Sequence, residues 1–317
     1  MSELLVQPAA DAAINRADAN PRTLYLIDAS LYVFRSWHAV PMEFHDADGA
    51  PVNAVYGFVR FLCDFLERAK PTHIVVAFDE SLTSSFRNAI YPEYKAHREL
   101  PPAELLTQFA YCKAVAAALG LTVLSDIQYE ADDLIGSALA SGRRHGCRGV
   151  IVSADKDFGQ LIGAEDEQWD FSRDQRWDTR GVRQRLGVQP EQVADFLALT
   201  GDAVDNIPGV PGIGAKTAAT LLAHFGTLDA LLARIEEVPY LRFRGSGQAY
   251  VRLKQHREQA LLSRALTGIA MDAPVPAGIE ALAWGAADAV ELGNLLEKLR
   301  FGPLTRSRCL KLRAVQP

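Results

Sequence analysis

The sequence has 317 residues, of which 49% are hydrophobic and 23% are charged, as in an ordinary globular protein. It has no apolar run near the ~18 residues of a membrane-spanning helix and no signal-peptide pattern at its start. Its four cysteines form no CxxC pair, which excludes a zinc or disulfide framework and favours a cytoplasmic location. A net charge of −6 argues at first against a nucleic-acid partner, although basic residues cluster in 234–264 and 298–313.

The first half of the chain alternates short apolar runs with helical patterns. After a leader over 1–22 that we expect to be mobile, the runs predict strands and the patterns predict helices. The predicted strands are 23–30, 72–80, 121–126 and 149–157, and the predicted helices are 55–69, 102–120 and 130–144. This alternation predicts an α/β fold with a doubly wound, mainly parallel sheet, in which function gathers at the carboxyl ends of the strands.

From about residue 181 the pattern changes to helices separated by glycine-rich turns. Helices are predicted over 189–206, 215–226 and 228–238. We therefore expect two parts, an α/β domain over 23–180 and a helical subdomain over 181–317 that ends in a basic C-terminal segment.

Acidic residues follow each predicted strand. A single Asp at such a place often only caps a helix or forms a turn. Four successive strands that all end in acids are harder to explain by caps and turns alone. Asp202 and Asp205, at i and i+3 on the predicted helix 189–206, would lean toward the same edge. The nine candidate acids are Asp28, Asp79, Glu130, Asp132, Asp133, Asp155, Asp157, Asp202 and Asp205.

Nine carboxylates in one crevice could not all stay ionised at neutral pH without a counterion. Because no His or Cys accompanies them, the oxygen ligands select Mg²⁺, with Mn²⁺ as a substitute, over zinc. Two such ions about 3.5–4 Å apart would suit in-line attack of water on a phosphodiester. Without these acids the rest of the chain is mildly basic, which removes the charge argument against a nucleic-acid partner.

The stretch "GVPGIGAKT" (209–217) superficially resembles an NTPase phosphate loop. Ala215 stands where that motif requires Lys, and no strand precedes it, so we expect no nucleotide cofactor. The better interpretation is a hairpin between two helices, in which Gly212 and Gly214 let backbone N–H groups approach a DNA phosphate. The next helix N-terminus, with Lys216 and Thr217, would add positive potential.

Five blocks of sequence carry a resemblance to a known family. They are 26–41, 75–98, 129–136, 151–162 and 196–222. In composition and order they resemble the 5′-nuclease family, which comprises the 5′→3′ exonuclease domain of bacterial DNA polymerase I, phage 5′ nucleases and flap endonucleases. The polymerase I version is the most similar, here as a free-standing exonuclease.

The resemblance implies roles for the residues in these blocks. Asp28, Asp79, Glu130, Asp132 and Asp133 match the positions that hold a first metal ion. Asp155, Asp157, Asp202 and Asp205 match those of a second.

A helical arch over about 80–105 is also implied, with Lys95 and Arg98 as its catalytic basic pair. Tyr94 would stack on a terminal base, and Arg35 and Arg87 would contact phosphates. For Tyr94 ordinary packing remains an alternative, and for the two arginines surface solvation does. A K⁺ ion at the hairpin loop is a further expectation.

The implied activity is structure-specific 5′→3′ exonuclease or flap endonuclease cleavage of DNA at 5′ ends, flaps or nicks, by a two-metal-ion mechanism in a monomer. The sequence departs from the family pattern at Ala29, where Gly is usual, and at Ser153 and Ala154, where Thr-Gly is usual; we expect only a small local shift. Two other functions remain open, a DNA-binding accessory protein with inert acids and a metal-dependent ribonuclease of the small acid-triad type. The balance of exo- and endonuclease cutting and the tolerance for RNA primers are left open.

Overall fold

A six-stranded sheet forms the centre of the N-terminal half. The computed structural model describes residues 22–80 and 84–314, with side chains to residue 312. The strands are β1 Thr23–Asp28, β2 His73–Asp79, β3 Thr122–Asp126, β4 Arg148–Val152, β5 Glu167–Asp170 and β6 Gln175–Trp177. Their order is β3-β2-β1-β4-β5-β6, and every neighbouring pair is parallel except β5 with β6. The predicted doubly wound, mainly parallel sheet is therefore confirmed.

Helices cover both faces of this sheet and make up most of the chain after residue 178. They are α1 Ala29–Ala39, α2 Asn53–Ala69, α3 Phe86–Ile90, α4 Ala103–Ala118, α5 Ala131–Arg144, α6 Thr179–Leu186, α7 Val193–Thr200, α8 Ala215–Phe225, α9 Leu228–Ala233, α10 Ser246–Gln255, α11 Arg257–Thr267, α12 Ala289–Lys298 and α13 Pro303–Ala314. Short 3-10 turns occupy Lys156–Leu161, Pro190–Gln192, Ile235–Tyr240 and Glu280–Leu282.

The central strands are apolar on both sides because helices cover both sides. Leu24 and Leu26 of β1 pack in a core cluster with α5 and the helices after residue 181, whereas Ile27 packs in a second cluster with α1, α2 and α4. This explains the continuous apolar runs of the sequence. The first cluster also joins residues from both sides of the predicted boundary near 180.

The order of the strands reverses beside β1, since β2 lies on one side of it and β4 on the other. In sheets of this kind, ligands bind in the crevice beyond the carboxyl ends at such a reversal. Asp28, Asp79 and the residues after Val152 stand at this place. The fold thus gathers the acids that end separate strands.

The predicted helix over 189–206 is wrong in its second half. Helix α7 ends at Thr200, because Gly201 takes a positive φ of 74° and stops it. Residues 201–207 instead form a turn closed by an antiparallel bridge between Asp202 and Ile207. Asp202 and Asp205 therefore do not share a helix face; a tight turn presents them.

None of the described helices is both long and apolar enough to cross a membrane. The leader expected over 1–22 lies, apart from its last residue, outside the described ranges. The arch expected over about 80–105 contains α3 and then continues in turns through 91–98.

Candidate active site

The ends of β1 and β2 are hydrogen-bonded to the elements beside them. Asp28 caps α1, accepting a bond from the Leu31 N–H at 3.3 Å, and its other oxygen accepts one from the Ser153 hydroxyl at 2.8 Å. Asp79 accepts a bond from the Ala131 N–H at the start of α5, at 2.9 Å. These bonds fix both carboxylates at one edge of the sheet.

Helix α5 brings its acids to the same edge. Glu130 is its N-cap residue, and Asp132 and Asp133 lie in its first turn, where the helix dipole favours negative charge. Glu130 is 7% exposed and accepts bonds from Lys95 Nζ at 2.8 Å and from the Tyr94 hydroxyl at 2.9 Å. The acids of α5 thus face the segment that was predicted to form the arch.

A second group of acids lines a pocket of about 270 Å³ next to the first. Asp155 caps the 3-10 turn after β4, accepting a bond from the Asp157 N–H at 2.9 Å. Lys156 Nζ contacts Asp202 and lies 3.4 Å from Asp157 Oδ1. The pocket is lined by Leu31, Ala154, Asp155, Lys156, Asp157, Arg185, Asp202, Val204 and Asp205.

The turns after α3 place two basic side chains at these acids. Lys95 takes a positive φ of 55°, and its backbone N–H donates to the Asp205 carbonyl at 3.0 Å. A non-glycine residue in this conformation costs about 1–3 kcal/mol and often marks a functional site. Arg98 contacts the Asp205 carboxylate. The predicted basic pair therefore lies on the acid cluster.

The buried acids repel one another. Burial, followed by the charge of Asp79, raises the pKa of Asp28 to about 7. Burial, followed by the charge of Asp155, raises the pKa of Asp157 to about 7 and places that of Asp132 well above its usual range. Burial likewise raises the pKa of Asp205, even beside Lys95.

Glu130 behaves differently from these acids. Its burial favours the neutral form, yet the cations Lys95 and Arg87 outweigh this and hold the pKa of Glu130 below its usual value. The crevice thus contains both protonation-prone carboxyls and one carboxylate that the arch keeps ionised.

The donor set fits hard divalent cations. It contains carboxylate oxygens alone, and within the described residues the buried Asp157 Oδ1 accepts no hydrogen bond, although the Lys156 ammonium lies 3.4 Å away. Within 22–80 and 84–314, however, no three His, Cys, Asp or Glu side chains already stand in the geometry of an ion site. Lysine and arginine side chains contact Glu130, Asp202 and Asp205, so an ion can bind these carboxylates only after the paired cations move away.

Two family models match the chain over most of its length. One describes the 5′-3′ exonuclease N-terminal resolvase-like domain and matches 23–187; the other describes the 5′-3′ exonuclease C-terminal SAM fold and matches 188–290. The chain belongs to the 5′-3′ exonuclease family.

Relatives of this chain include much longer proteins. It is 37% identical to DNA polymerase I of Rhizobium leguminosarum over 290 residues, which are 89% of this chain and 28% of that protein. It is also 37% identical to DNA polymerase I of Bacillus caldotenax over 284 residues, which are 88% of this chain and 32% of that one. The chain thus spans less than a third of these relatives.

Solved structures share the fold. The T5 D15 protein co-crystallised with metal ions superposes with a TM-score of 0.64 at 16% identity, covering 93% of this chain and all of that one. The catalytic core of Rad2 in complex with DNA substrate gives a TM-score of 0.62 at 15% identity, covering 92% of each chain.

Two expectations for the residues of this site need correction. Arg87 is only 3% exposed and is surrounded by protein acceptors, so it does not lie where a phosphate could reach it. Tyr94 is also 3% exposed and packs with Ile207 and Leu266, so its ring is not available to stack on a base. Both side chains are part of the interior beneath the arch segment.

The remaining predicted DNA contacts lie at the surface. Arg35, on α1, is partly exposed and donates to the Ser172 hydroxyl at 2.7 Å. Gly212, Gly214 and Lys216 are exposed in the hairpin before and at the start of α8, and Thr217 is half-buried there. The hairpin and the acid pocket are joined by the turn that carries Asp202 and Asp205.

Three residues that line or contact the site were not predicted to be site residues from the sequence. Lys156 stands between two predicted ligands, and this position was itself a signal. Ser153, one of the departures from the family pattern, bonds Asp28 and accepts a bond from the Asp155 N–H at 3.1 Å. Arg185 of α6 lines the pocket, and nothing in the sequence distinguished it from its basic neighbours.

Proposed function

We propose that this protein is a divalent-metal-dependent 5′ nuclease that hydrolyses DNA phosphodiester bonds near a free 5′ end, a flap or a nick. The observation that carries the proposal is the meeting of strand-end and helix-start carboxylates in one crevice beneath Lys95 and Arg98. Related structures support it: the bacteriophage T5 D15 flap endonuclease has been solved in a complex with DNA and metal ions, and the catalytic core of Rad2 with DNA substrate.

The acids divide into two groups in this proposal. Asp28, Asp79, Glu130 and Asp132 would hold one Mg²⁺ or Mn²⁺ ion, and Asp155, Asp157, Asp202 and Asp205 a second. When bound, the two ions supply positive charge at the attacking and leaving oxygens of the phosphodiester. Asp133, which we expected to join the first group, is assigned a different role below.

The basic residues would orient the substrate. Lys95 now pairs with Glu130, and exchanging that partner for the scissile phosphate would hold the phosphate against the acid crevice and stabilise its developing charge. Arg98 would do the same from Asp205. The product would carry a 5′-phosphate. Selection would rest on the shape of the DNA, because the proposed contacts are to phosphates, which carry no sequence information.

The helical half would hold the duplex. In the hairpin, exposed backbone N–H groups at Gly212 and Gly214 precede α8, whose N-terminus carries partial positive charge. Lys216 adds a full charge at the same place. This arrangement would grip a phosphate backbone at a fixed distance from the acids. A K⁺ ion at the hairpin and a monomeric state are further parts of the proposal.

A cleavage assay tests the function. Purified protein is incubated with a 5′-labelled flap duplex in Mg²⁺, in Mn²⁺ and in EDTA. We expect cutting near the flap base in both metals and none in EDTA. Duplex binding without metal-dependent cutting would instead identify a DNA-binding accessory protein. Equal cutting of single-stranded RNA would identify a ribonuclease.

A further inference from the structure

Arg87, at the base of the arch segment, has all five of its N–H groups bonded within the protein. Nε donates to the Leu266 carbonyl at 2.9 Å, and Nη2 donates to Asp133 Oδ1 and to the Gly268 carbonyl, both at 2.8 Å. Nη1 donates to Asp133 Oδ2 at 2.7 Å and to Glu130 Oε2 at 3.1 Å. A guanidinium has five donors, so none is left for a phosphate.

The Asp133 carboxylate likewise uses all of its hydrogen-bonding capacity within the protein. It is 0% exposed, and its Oδ1 accepts bonds from Arg87 and from the Ala270 N–H at 2.7 Å. Its Oδ2 accepts bonds from Arg87 and from the Glu130 N–H at 3.0 Å. A carboxylate has about four acceptor sites, and all four are used here. A metal ion could bind it only by breaking a buried charge-assisted bond.

The pair connects three parts of the molecule. Arg87 belongs to α3, Asp133 belongs to α5, and the carbonyls that Arg87 contacts lie in the segment 266–268, which ends α11. Gln160 binds the same region from the other side, through the Thr267 carbonyl and the Ile269 N–H, each at 3.0 Å. The arch base, the helix that carries Glu130 and the helical half therefore meet at one buried ion pair.

We propose that Arg87 and Asp133 form a positioning pair that fixes Glu130 between the arch and the helical half, and that neither contacts DNA or a metal ion. The proposal rests on the proposed function only in taking Glu130 as a metal ligand. Arg87 donates to one Glu130 oxygen and Lys95 donates to the other, so these two contacts together orient the carboxylate.

This arrangement separates two kinds of effect that a loss of Arg87 could have. A residue that neutralises a phosphate changes DNA affinity, and its loss lowers the salt dependence of binding by about 0.9 in the log–log slope. A residue that orients a ligand changes metal affinity and kcat, by about 10- to 100-fold in comparable sites, and leaves DNA affinity unchanged.

The first experiment uses Arg87→Lys, which keeps a positive charge beside Asp133 but removes the planar fork. Binding to a 5′-flap duplex is measured in EDTA at several salt concentrations, with Lys216→Ala as the control for a lost phosphate contact. We expect an unchanged dissociation constant and salt slope for Arg87→Lys. We also expect kcat to fall at least about tenfold at unchanged KM, and Mn²⁺ binding by electron paramagnetic resonance to weaken. A reduced salt slope with normal kcat would overturn the proposal.

The second experiment approaches the pair from the acid, and it serves equally if Arg87→Lys folds poorly. Asp133→Asn should weaken Mn²⁺ binding without changing the number of ions bound. The double variant Arg87→Lys/Asp133→Asn should bind Mn²⁺ no more weakly than either single variant. Loss of one bound ion in Asp133→Asn, or additive effects in the double variant, would identify Asp133 as a direct ligand and overturn the proposal. The DNA-binding and Mn²⁺ measurements hold their meaning even if the wild-type protein cuts no DNA, an outcome that would refute the proposed function alone.

Discussion

The acid crevice and the hairpin before α8 differ in what they present to a ligand: the crevice presents side chains and the hairpin presents backbone. The crevice consists of side chains, most of them buried or half-buried, and several are bonded to one another, as Glu130 is to Lys95, Arg87 and Tyr94. The hairpin is anchored by the buried side chains of Val210 and Ile213 and is exposed at Gly212 and Gly214, where there is no side chain. The first is suited to binding ions and changing a reaction rate, and the second to gripping a repeating phosphate chain without regard to sequence.

This difference predicts how variants divide. Changes in the crevice should alter kcat and metal affinity while DNA binding persists. Changes in the hairpin should alter DNA affinity and its salt dependence while the bound substrate is still cut. Each prediction below tests one side of the division.

The largest effect is expected for Asp155→Asn. Under the proposed function it removes one charged ligand, and losing several kcal/mol of transition-state stabilisation by the ions corresponds to a loss of about 10³-fold in kcat. The fold should survive, because Asn caps a turn as well as Asp does, and Asp155 caps the turn after β4.

Asp178→Asn is the matched control for this change. Asp178 also caps a helix, accepting a bond from the Gly181 N–H at 2.8 Å, but it is not among the candidate acids. We expect its kcat to match the wild type. Single-turnover cleavage of a flap duplex measures both variants, and wild-type cutting by Asp155→Asn would refute the ligand assignment.

Lys95→Met should have the next largest effect. Removing one preorganised charge from a developing oxyanion costs about 10²–10³-fold in kcat. Flap binding should change little, because the hairpin remains intact. Lys298→Met provides the comparison, since Lys298 also pairs with a carboxylate, Asp48, outside the crevice. Equal rates for the two variants would place Lys95 outside the reaction.

The raised pKa values predict a pH-dependent response to metal. Without ions, the carboxyls of Asp28 and Asp157, each with a pKa raised from 3.8 to about 7, favour the fold when protonated. Their contribution is complete below pH 3.8 and is lost as the pH rises through about 7. The melting temperature of the metal-free protein should therefore fall across this window.

Mg²⁺ should restore that loss, because it neutralises the ionised carboxylates. The increase in melting temperature on adding Mg²⁺ should be clear at pH 7.5 and small at pH 5, as measured by calorimetry in matched buffers. An increase of equal size at both pH values would mean that Mg²⁺ does not bind at these acids.

On the hairpin side, Gly214→Ala and Gly212→Ala should act in different ways. A Cβ at Gly214, where φ is −92°, meets no atom of the described residues within 4 Å, so stability should change by less than about 0.5 kcal/mol. At Gly212, where φ is +77°, an alanine would be strained whatever the space, and its Cβ would also displace the Arg252 guanidinium that donates to the Gly212 carbonyl, so this variant should lose stability.

A DNA-binding measurement then distinguishes a steric block to DNA at Gly214 from a loss of folding stability at Gly212. Gly214→Ala should bind a flap duplex more weakly at unchanged melting temperature, because its methyl group occupies the space where a phosphate would approach the backbone. Fluorescence anisotropy measures this affinity. Wild-type affinity in Gly214→Ala would show that DNA does not approach the loop at this residue.

The parts of the fold that repeat a pattern could be predicted from the sequence. The runs that end at Asp28 and Asp79 form strands, as predicted. They are apolar almost throughout because both faces of the sheet are covered. The strand β5 was missed because its sequence, "EQWD", has no apolar run, although Gln168 and Trp169 are buried within the sheet. The end of α7 was misjudged because Gly201 was its only stop signal.

Within the site, residue type was more predictable than residue role. The acids at strand ends could be named because each follows a local pattern. The roles of Arg87 and Asp133 could not, since they depend on contacts with residues more than 130 positions away, the Gly268 carbonyl and the Ala270 N–H. A buried arginine that holds a ligand and an exposed one that holds a phosphate look alike in a sequence.

The smallest effect is expected for Lys216→Ala, and it tests the division most directly. Lys216 is exposed at the start of α8, so its loss should leave the melting temperature and the single-turnover cleavage rate of bound flap duplex unchanged. Removing one phosphate contact should weaken binding and reduce the log–log salt slope by about 0.9. Lys298→Ala removes a half-buried lysine elsewhere, one that pairs with Asp48, and should leave the slope unchanged. A slower cleavage step in Lys216→Ala with an unaltered salt slope would mean that the hairpin acts on the reaction itself, and the separation between gripping backbone and reacting side chains would then be wrong.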